Sequence, residues 1–179
     1  MSSRSLNDLI HQMQYKAEKL IENCKSRGVD ILVYCTLRDL ETQARLYRQS
    51  RSGSEIRAKI NQLEKDGYGF LGEIINKVGP QFGKYGHHVT NAVPGQSWHN
   101  LKEAFDAVPL INGQAEWDSK HPHWKIYGEE AMKLGLDWGG AWSSFKDYPH
   151  CQYRKGTSNP MRLYKPKDLE KRLKDINLL

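Results

Sequence analysis

The sequence predicts an α+β fold in which several helices pack on a small antiparallel sheet. Three observations point there. The segment from Ser5 to Gly28 places Leu6, Leu9, Ile10, Met13, Ala17, Leu20, Ile21 and Cys24 at three- and four-residue steps, the period of an amphipathic helix. VDILVYCTLR is a short apolar run rich in β-branched and aromatic residues, the mark of a buried strand. The alternating AFDAVPL runs into INGQ, and Asn112-Gly113 is a strong two-residue hairpin signal.

Each element carries its own boundary signals. Ser5 can cap the first helix, with Asp8 in the first turn, and Gly28 can end it. After the first strand, a second helix is expected at about 39–49. SGSEIRAKINQLEKDG and YGFLGEIINKVG read as two more helices. Ser54 caps the first of these, and Phe70, Leu71, Ile74, Ile75 and Val78 supply the apolar residues of the second. From Pro80 to Trp98 periodicity vanishes and glycine accumulates; a loop this long is usually functional or mobile. A strand follows at about 104–110. HWKIYGEEAMKLG is helical in period and stopped by Gly135. Tyr148 to Tyr153 is expected as a strand. KPKDLEKRLKDINLL reads as a last helix with Pro166 in its first turn. No repeat or linker interrupts the chain, so 1–179 is expected as a single catalytic domain with a helical insertion at about 50–84.

Composition narrows the class. A chain of 179 residues suffices for one domain with a real core and is short for two. With 38% hydrophobic and 27% charged residues, the composition lies in the ordinary globular range and wholesale disorder is not expected. No apolar stretch approaches the roughly 20 residues that span a bilayer, so stable membrane insertion is not expected. MSSRSLNDLIHQMQ lacks the basic segment and apolar core of a secretory signal. The expectation is therefore residence in the cytoplasm of the producing cell, with any outer target reached by release across the membrane. Cys24, Cys35 and Cys151 are too few and scattered for a disulfide framework and read as buried thiols. A net charge of +6 favours anionic partners, whether nucleic acid, membrane surface or wall polymer. No nucleic-acid motif accompanies it, so nucleic acid is not expected as the partner.

The chemistry gathers in two places. In GQSWHNLKEAFDAVPL, His99 precedes Asp106 by seven residues. On one continuous helix the two would lie about 10.5 Å apart along the axis. Donors that must each approach one zinc to about 2 Å cannot easily meet from there. A loop leading into a strand is different, because the chain can fold back at 100–103 and set the imidazole beside the carboxylate. In DYPH, Pro149 biases Tyr148 toward extended backbone, so His150 enters the sheet as a third donor with Asp147 close by. Two histidines and a carboxylate with an open fourth position describe a catalytic zinc site. Such a metal acidifies its water and polarises the attacked carbonyl. Asp147 is the natural group to take the water's proton and pass it to the leaving amine. Spacing alone leaves other readings open. His87 and His88, in the glycine-rich loop, are ligands or polar loop residues. His121 and His123 read as structural residues at a helix start, and His11 as structural.

SWHNLKEAFD resembles the S-x-H-x(6)-D metal motif of the zinc D-alanyl-D-alanine carboxypeptidase and L-alanyl-D-glutamate peptidase family. GLDWGGAWSSFKDYPHCQY resembles the W-G-G-x-W-x-x-F-x-D-x-P-H-x-Q block of that family's phage endolysin branch. CTLRDLETQARLY is similar to its upstream segment, in which an arginine precedes a glutamine by five residues. Together the three cover roughly 31–152. The resemblance implies that His99, Asp106 and His150 bind one zinc ion and that Asp147 is the general base. It implies that Arg38 holds substrate or steadies the developing oxyanion, and that Ser97 contacts substrate. Gln43 matches the glutamine of the arginine segment, although a helix-surface glutamine is the plainer reading. Trp138 and Trp142 match the aromatic block and read as core and cleft wall. There are two departures. Lys102 stands where the family commonly has glycine, and about 35 residues between Gln49 and Lys84 enlarge a usually short connection.

The expected function is that of a zinc metallopeptidase, an endolysin, cutting the peptide stem of bacterial peptidoglycan between L-alanine and D-glutamate. A monomer acting on peptidoglycan is expected. The rivals are a D-alanyl-D-alanine carboxypeptidase on the same scaffold and a non-catalytic wall-binding protein.

Overall fold

The structure, a computed structural model, describes residues 2–79, 85–156 and 159–179. Residues 80–84, in the segment read as a loop and at the end of the expected insertion, lie outside the described residues. In chain order the elements are α1 (His11–Ser26), β1 (Ile31–Cys35), α2 (Leu40–Arg48), α3 (Gly53–Lys65), α4 (Gly69–Lys77), β2 (Ala104–Ile111), β3 (Gln114–Ala115), α5 (Pro122–Lys133), β4 (Asp137–Trp138), β5 (His150–Gln152) and α6 (Pro166–Asp175). All strand pairings are antiparallel, in the order β1-β2-β5-β4 with β3 also on β2. The α+β class read from the sequence is the one observed. The chain forms two compact units, one of 2–37 with 102–156, the other of 38–101 with 159–179.

The first unit holds the sheet. Its core joins Met13, Leu20 and Cys24 of α1 to Phe105 and Val108 of β2, and to Trp124, Tyr127 and Trp138. The Trp138 ring lies so close to α5 that a Cβ at Gly128 would come within 2.1 Å of it, so only glycine fits at that helix position. The three cysteines are buried, as expected. The hairpin forms at Asn112 and Gly113, whose φ angles of 52° and 77° are the two left-handed residues a type I′ turn requires. Gly28, at φ 76°, closes α1: its N–H donates to Lys25 and that of Val29 to Cys24.

The start of α1 differs from its periodicity. Ser5 caps only a separate 3-10 turn, Leu6–Asp8, and α1 begins at His11. Leu9 and Ile10 are extended because the Ile10 N–H donates to the Lys102 carbonyl at 3.0 Å, a tertiary bond that a helical Ile10 would forgo. β4, two residues long, is too short for any periodic signal.

The second unit is helical. Asp39 caps α2, accepting from the Thr42 N–H at 2.6 Å. α3 is capped by Ser52 rather than Ser54, because Ser52 and Glu55 have the spacing of a capping box: the serine hydroxyl accepts from the Glu55 N–H, and the Glu55 carboxylate accepts from the Ser52 N–H. Ile56, Leu63, Leu71 and Ile75 bury the facing sides of α3 and α4. α6 contributes Leu169 and Leu173 to this unit's core, with Pro166 at its start as expected. Among the described residues no helix is long and apolar enough to cross a membrane.

Candidate metal and catalytic site

In the sheet unit, Asp106 of β2 is the direct cross-strand partner of His150 of β5. Residues paired this way project on one face, and the His150 Nδ1 stands 3.1 Å from the Asp106 Oδ1. Both side chains are largely shielded, at 11% and 13% exposure. Cys35 of β1 pairs with Asp106 on its other side, so three chemically active side chains share one row across the sheet. The extended entry of DYPH is observed, since His150 opens β5.

Asp147 is placed by backbone. Its N–H donates to Gly139 at 3.1 Å, and its carbonyl accepts from the His150 N–H at 3.1 Å. A Cβ on Gly139 would lie 2.3 Å from the Asp147 carbonyl oxygen, and one on Gly140 would lie 2.1 Å from the Trp138 ring. The two glycines after Trp138 are therefore there for close approach. The Trp138 indole donates to the Tyr148 carbonyl at 2.8 Å, tying the same segment from the core side. Trp138 is buried; half-buried Trp142 sets its ring 5.5 Å from that of His150.

The helical unit holds Arg38, Gln43, Ser97 and His99. His99 lies buried on a 3-10 turn, Trp98–Leu101, and its carbonyl accepts from the Arg38 N–H at 3.3 Å. Half-buried Ser97 accepts the Asn100 N–H at its carbonyl. Arg38 donates to the Gln43 Oε1 at 3.1 Å, and Gln43 donates to the Ala92 carbonyl at 2.8 Å. Gln43 is wholly buried, which corrects the reading of it as a helix-surface residue. Its amide anchors the arginine to the glycine-rich segment. Asn100, which the sequence reading passed over, is equally buried and bridges the Arg38 carbonyl to the Gly95 N–H. A buried asparagine beside a turn has no periodic signature.

The other histidines fall elsewhere. His87 and His88 are exposed, and His121 is the N-cap of α5, accepting from the His123 N–H. His11 is exposed on α1. Thus Asp106 and His150 are brought into contact, with Asp147 tied to His150, while Arg38 and Gln43 meet each other and connect to His99 through backbone.

The Asp106–His150 pair suits a metal. Two ligand atoms each about 2.0–2.1 Å from a tetrahedral zinc lie about 3.3 Å from one another. The observed 3.1 Å between a carboxylate oxygen and an imidazole nitrogen is close to that edge. Nitrogen and carboxylate oxygen are both zinc donors.

Residues 90–153 match the model of a family described as D-alanyl-D-alanine carboxypeptidase. The chain is 27% identical over 154 residues to the peptidoglycan L-alanyl-D-glutamate endopeptidase CwlK of Bacillus subtilis, an overlap of 82% of this chain and 74% of that protein. It is 25% identical over 155 residues to the L-alanyl-D-glutamate peptidase of Listeria phage A118, covering 84% of this chain and 41% of the relative. A third relative, the L-alanyl-D-glutamate peptidase of Escherichia phage T5, is 32% identical over 69 residues, 36% of this chain and 50% of that one. The chain thus spans half or less of the length of the two phage proteins.

Proposed function

We propose that this chain, similar over most of its length to L-alanyl-D-glutamate peptidases, is a zinc-dependent peptidase that hydrolyses the peptide stem of bacterial peptidoglycan. The observation that carries the reading is the 3.1 Å approach of His150 to Asp106, which falls inside the segment matched by the peptidase family. His99, Asp106 and His150 are the residues that would hold the ion. When bound, zinc supplies a Lewis acid that makes water nucleophilic near neutral pH and polarises the scissile carbonyl.

The protein's own groups do the rest. Asp147 takes the proton of the attacking water and returns it to the departing amine, a general-base and general-acid role in one carboxylate. Arg38, held by Gln43, is a pre-oriented cation for a substrate carboxylate or for the oxyanion that develops during attack. Ser97 contacts substrate, and Trp142 forms a wall beside His150. The bond between L-alanine and D-glutamate is favoured by the names of the relatives. The net charge of +6 suits a carboxylate-rich wall polymer rather than nucleic acid. The protein works as a monomeric lysis enzyme, one catalytic domain over its whole length with α3 and α4 as an insertion, held in the cytoplasm until the membrane opens.

Purified wall incubated with the protein decides the matter by mass spectrometry. New amino-terminal D-glutamate, abolished by chelator and restored by zinc, is the expected result. Release of free D-alanine would establish the second reading, a D-alanyl-D-alanine carboxypeptidase, which the description of the matched family favours. No cleavage with zinc bound would leave a wall-binding protein, for which a general base at Asp147 has no use.

A further inference from the structure

Building on the reading of His150 as a metal ligand, we infer that Gln152 is a positioning residue that keeps the proton of His150 on Nε2 and turns Nδ1 toward Asp106. Gln152 is 1% exposed, so its amide must find partners inside the protein. Its Nε2 lies 2.6 Å from the Arg154 carbonyl oxygen and 3.3 Å from the Asp137 Oδ2. A carbonyl and a carboxylate only accept, so the amide nitrogen belongs on that side and cannot exchange places with the oxygen. The Oε1 is thereby fixed toward His150, 3.2 Å from the imidazole Nε2. An amide oxygen also only accepts, which makes Nε2 the donor. In a neutral ring the lone pair is then on Nδ1, the nitrogen 3.1 Å from Asp106.

The arrangement has a further anchor. Asp137, which accepts from Gln152 through one oxygen, accepts from the Trp142 indole through the other at 2.8 Å. Trp142, Asp137, Gln152 and His150 form a continuous relay in which each polarity is set by the one before it. Partners behind a ligating histidine fix its tautomer and orientation, and their loss typically costs 10–100-fold in metal affinity.

The test uses full-length protein labelled with ¹⁵N-histidine, compared with Gln152→Met, which keeps length and loses the acceptor. In zinc-free wild-type protein the His150 Nε2–H is expected as a slowly exchanging proton. In Gln152→Met that signal should vanish or move to Nδ1, where Asp106 accepts it, and zinc affinity by chelator competition should fall about 10- to 100-fold. An unchanged Nε2–H signal with zinc affinity within twofold of wild type would overturn the inference. If Gln152→Met does not fold, the zinc-free wild-type protein carries the test, because its histidine ¹⁵N shifts tell a protonated ring nitrogen from a bare one. A proton on the His150 Nε2 is expected there; a ring protonated at Nδ1 alone would overturn the assignment. A wild-type protein that binds no zinc would refute the metal reading instead, while the zinc-free proton signal still decides on Gln152.

Discussion

At Lys102 the backbone sits at φ 61°, a region that costs an L-residue about 1–2 kcal/mol and costs glycine almost nothing. The position where related motifs carry glycine is therefore one where the backbone asks for it, and here a lysine bears the strain. Lys102→Gly should be more stable than Lys102→Ala by about 1 kcal/mol, read from the urea midpoints of the two variants. At Asp147 the change is chemical. Asp147→Asn should retain zinc and lose turnover by about 10²-fold or more, the usual worth of a general base. His150→Ala should lose metal and activity together, so metal analysis beside a wall-digestion rate separates the two roles. Full activity in Asp147→Asn would assign the base elsewhere.

At the scale of elements, the aromatic block is a device for presenting Asp147 and His150. Trp138 fills the space over Gly128, Gly139 lets the Asp147 carbonyl approach, and β5 then carries His150 against β2. Gly139→Ala places a methyl 2.3 Å from that carbonyl oxygen, so the Asp147 segment must move. Wall cleavage should drop at least tenfold while the circular dichroism of the folded protein persists; an unaltered rate would show that the close approach is dispensable. Most elements could be read in advance because apolar period and end signals are local. The exceptions have different causes, one tertiary and one local. α1 starts late because Ile10 bonds to Lys102, and the choice of Ser52 over Ser54 depends on which serine has Glu55 at the right distance.

Across the sheet unit, long-range charge pairing ties α1 to α5. Arg27, just past α1, reaches Glu129 at 2.9 Å and Glu130 at 2.8 Å, and Lys133 reaches Glu130 at 2.7 Å. The hydrogen bond from Lys133, then that from Arg27, hold the Glu130 carboxyl below its ordinary range against the cost of burial. A carboxyl depressed on folding adds stability that is present above its unfolded value, about 4.3, and is lost as pH falls through the lower folded one. Glu130→Gln should therefore be less stable than wild type at pH 6, with the two melting temperatures converging on acidification below about pH 4. A constant gap between them would show that the charge of Glu130 is not what stabilises.

The sequence by itself determined the kinds of elements, the buried thiols and the three motifs whose peptidase resemblance the comparisons bear out, because each is written in short-range spacing. Tertiary structure alone decided that Gln43 is interior, that Asp106 and His150 are direct cross-strand partners, and that Gln152 backs that histidine. Those facts depend on strand register and on which polar groups are left to satisfy one another once water is excluded, and neither is encoded in the local period of any one segment.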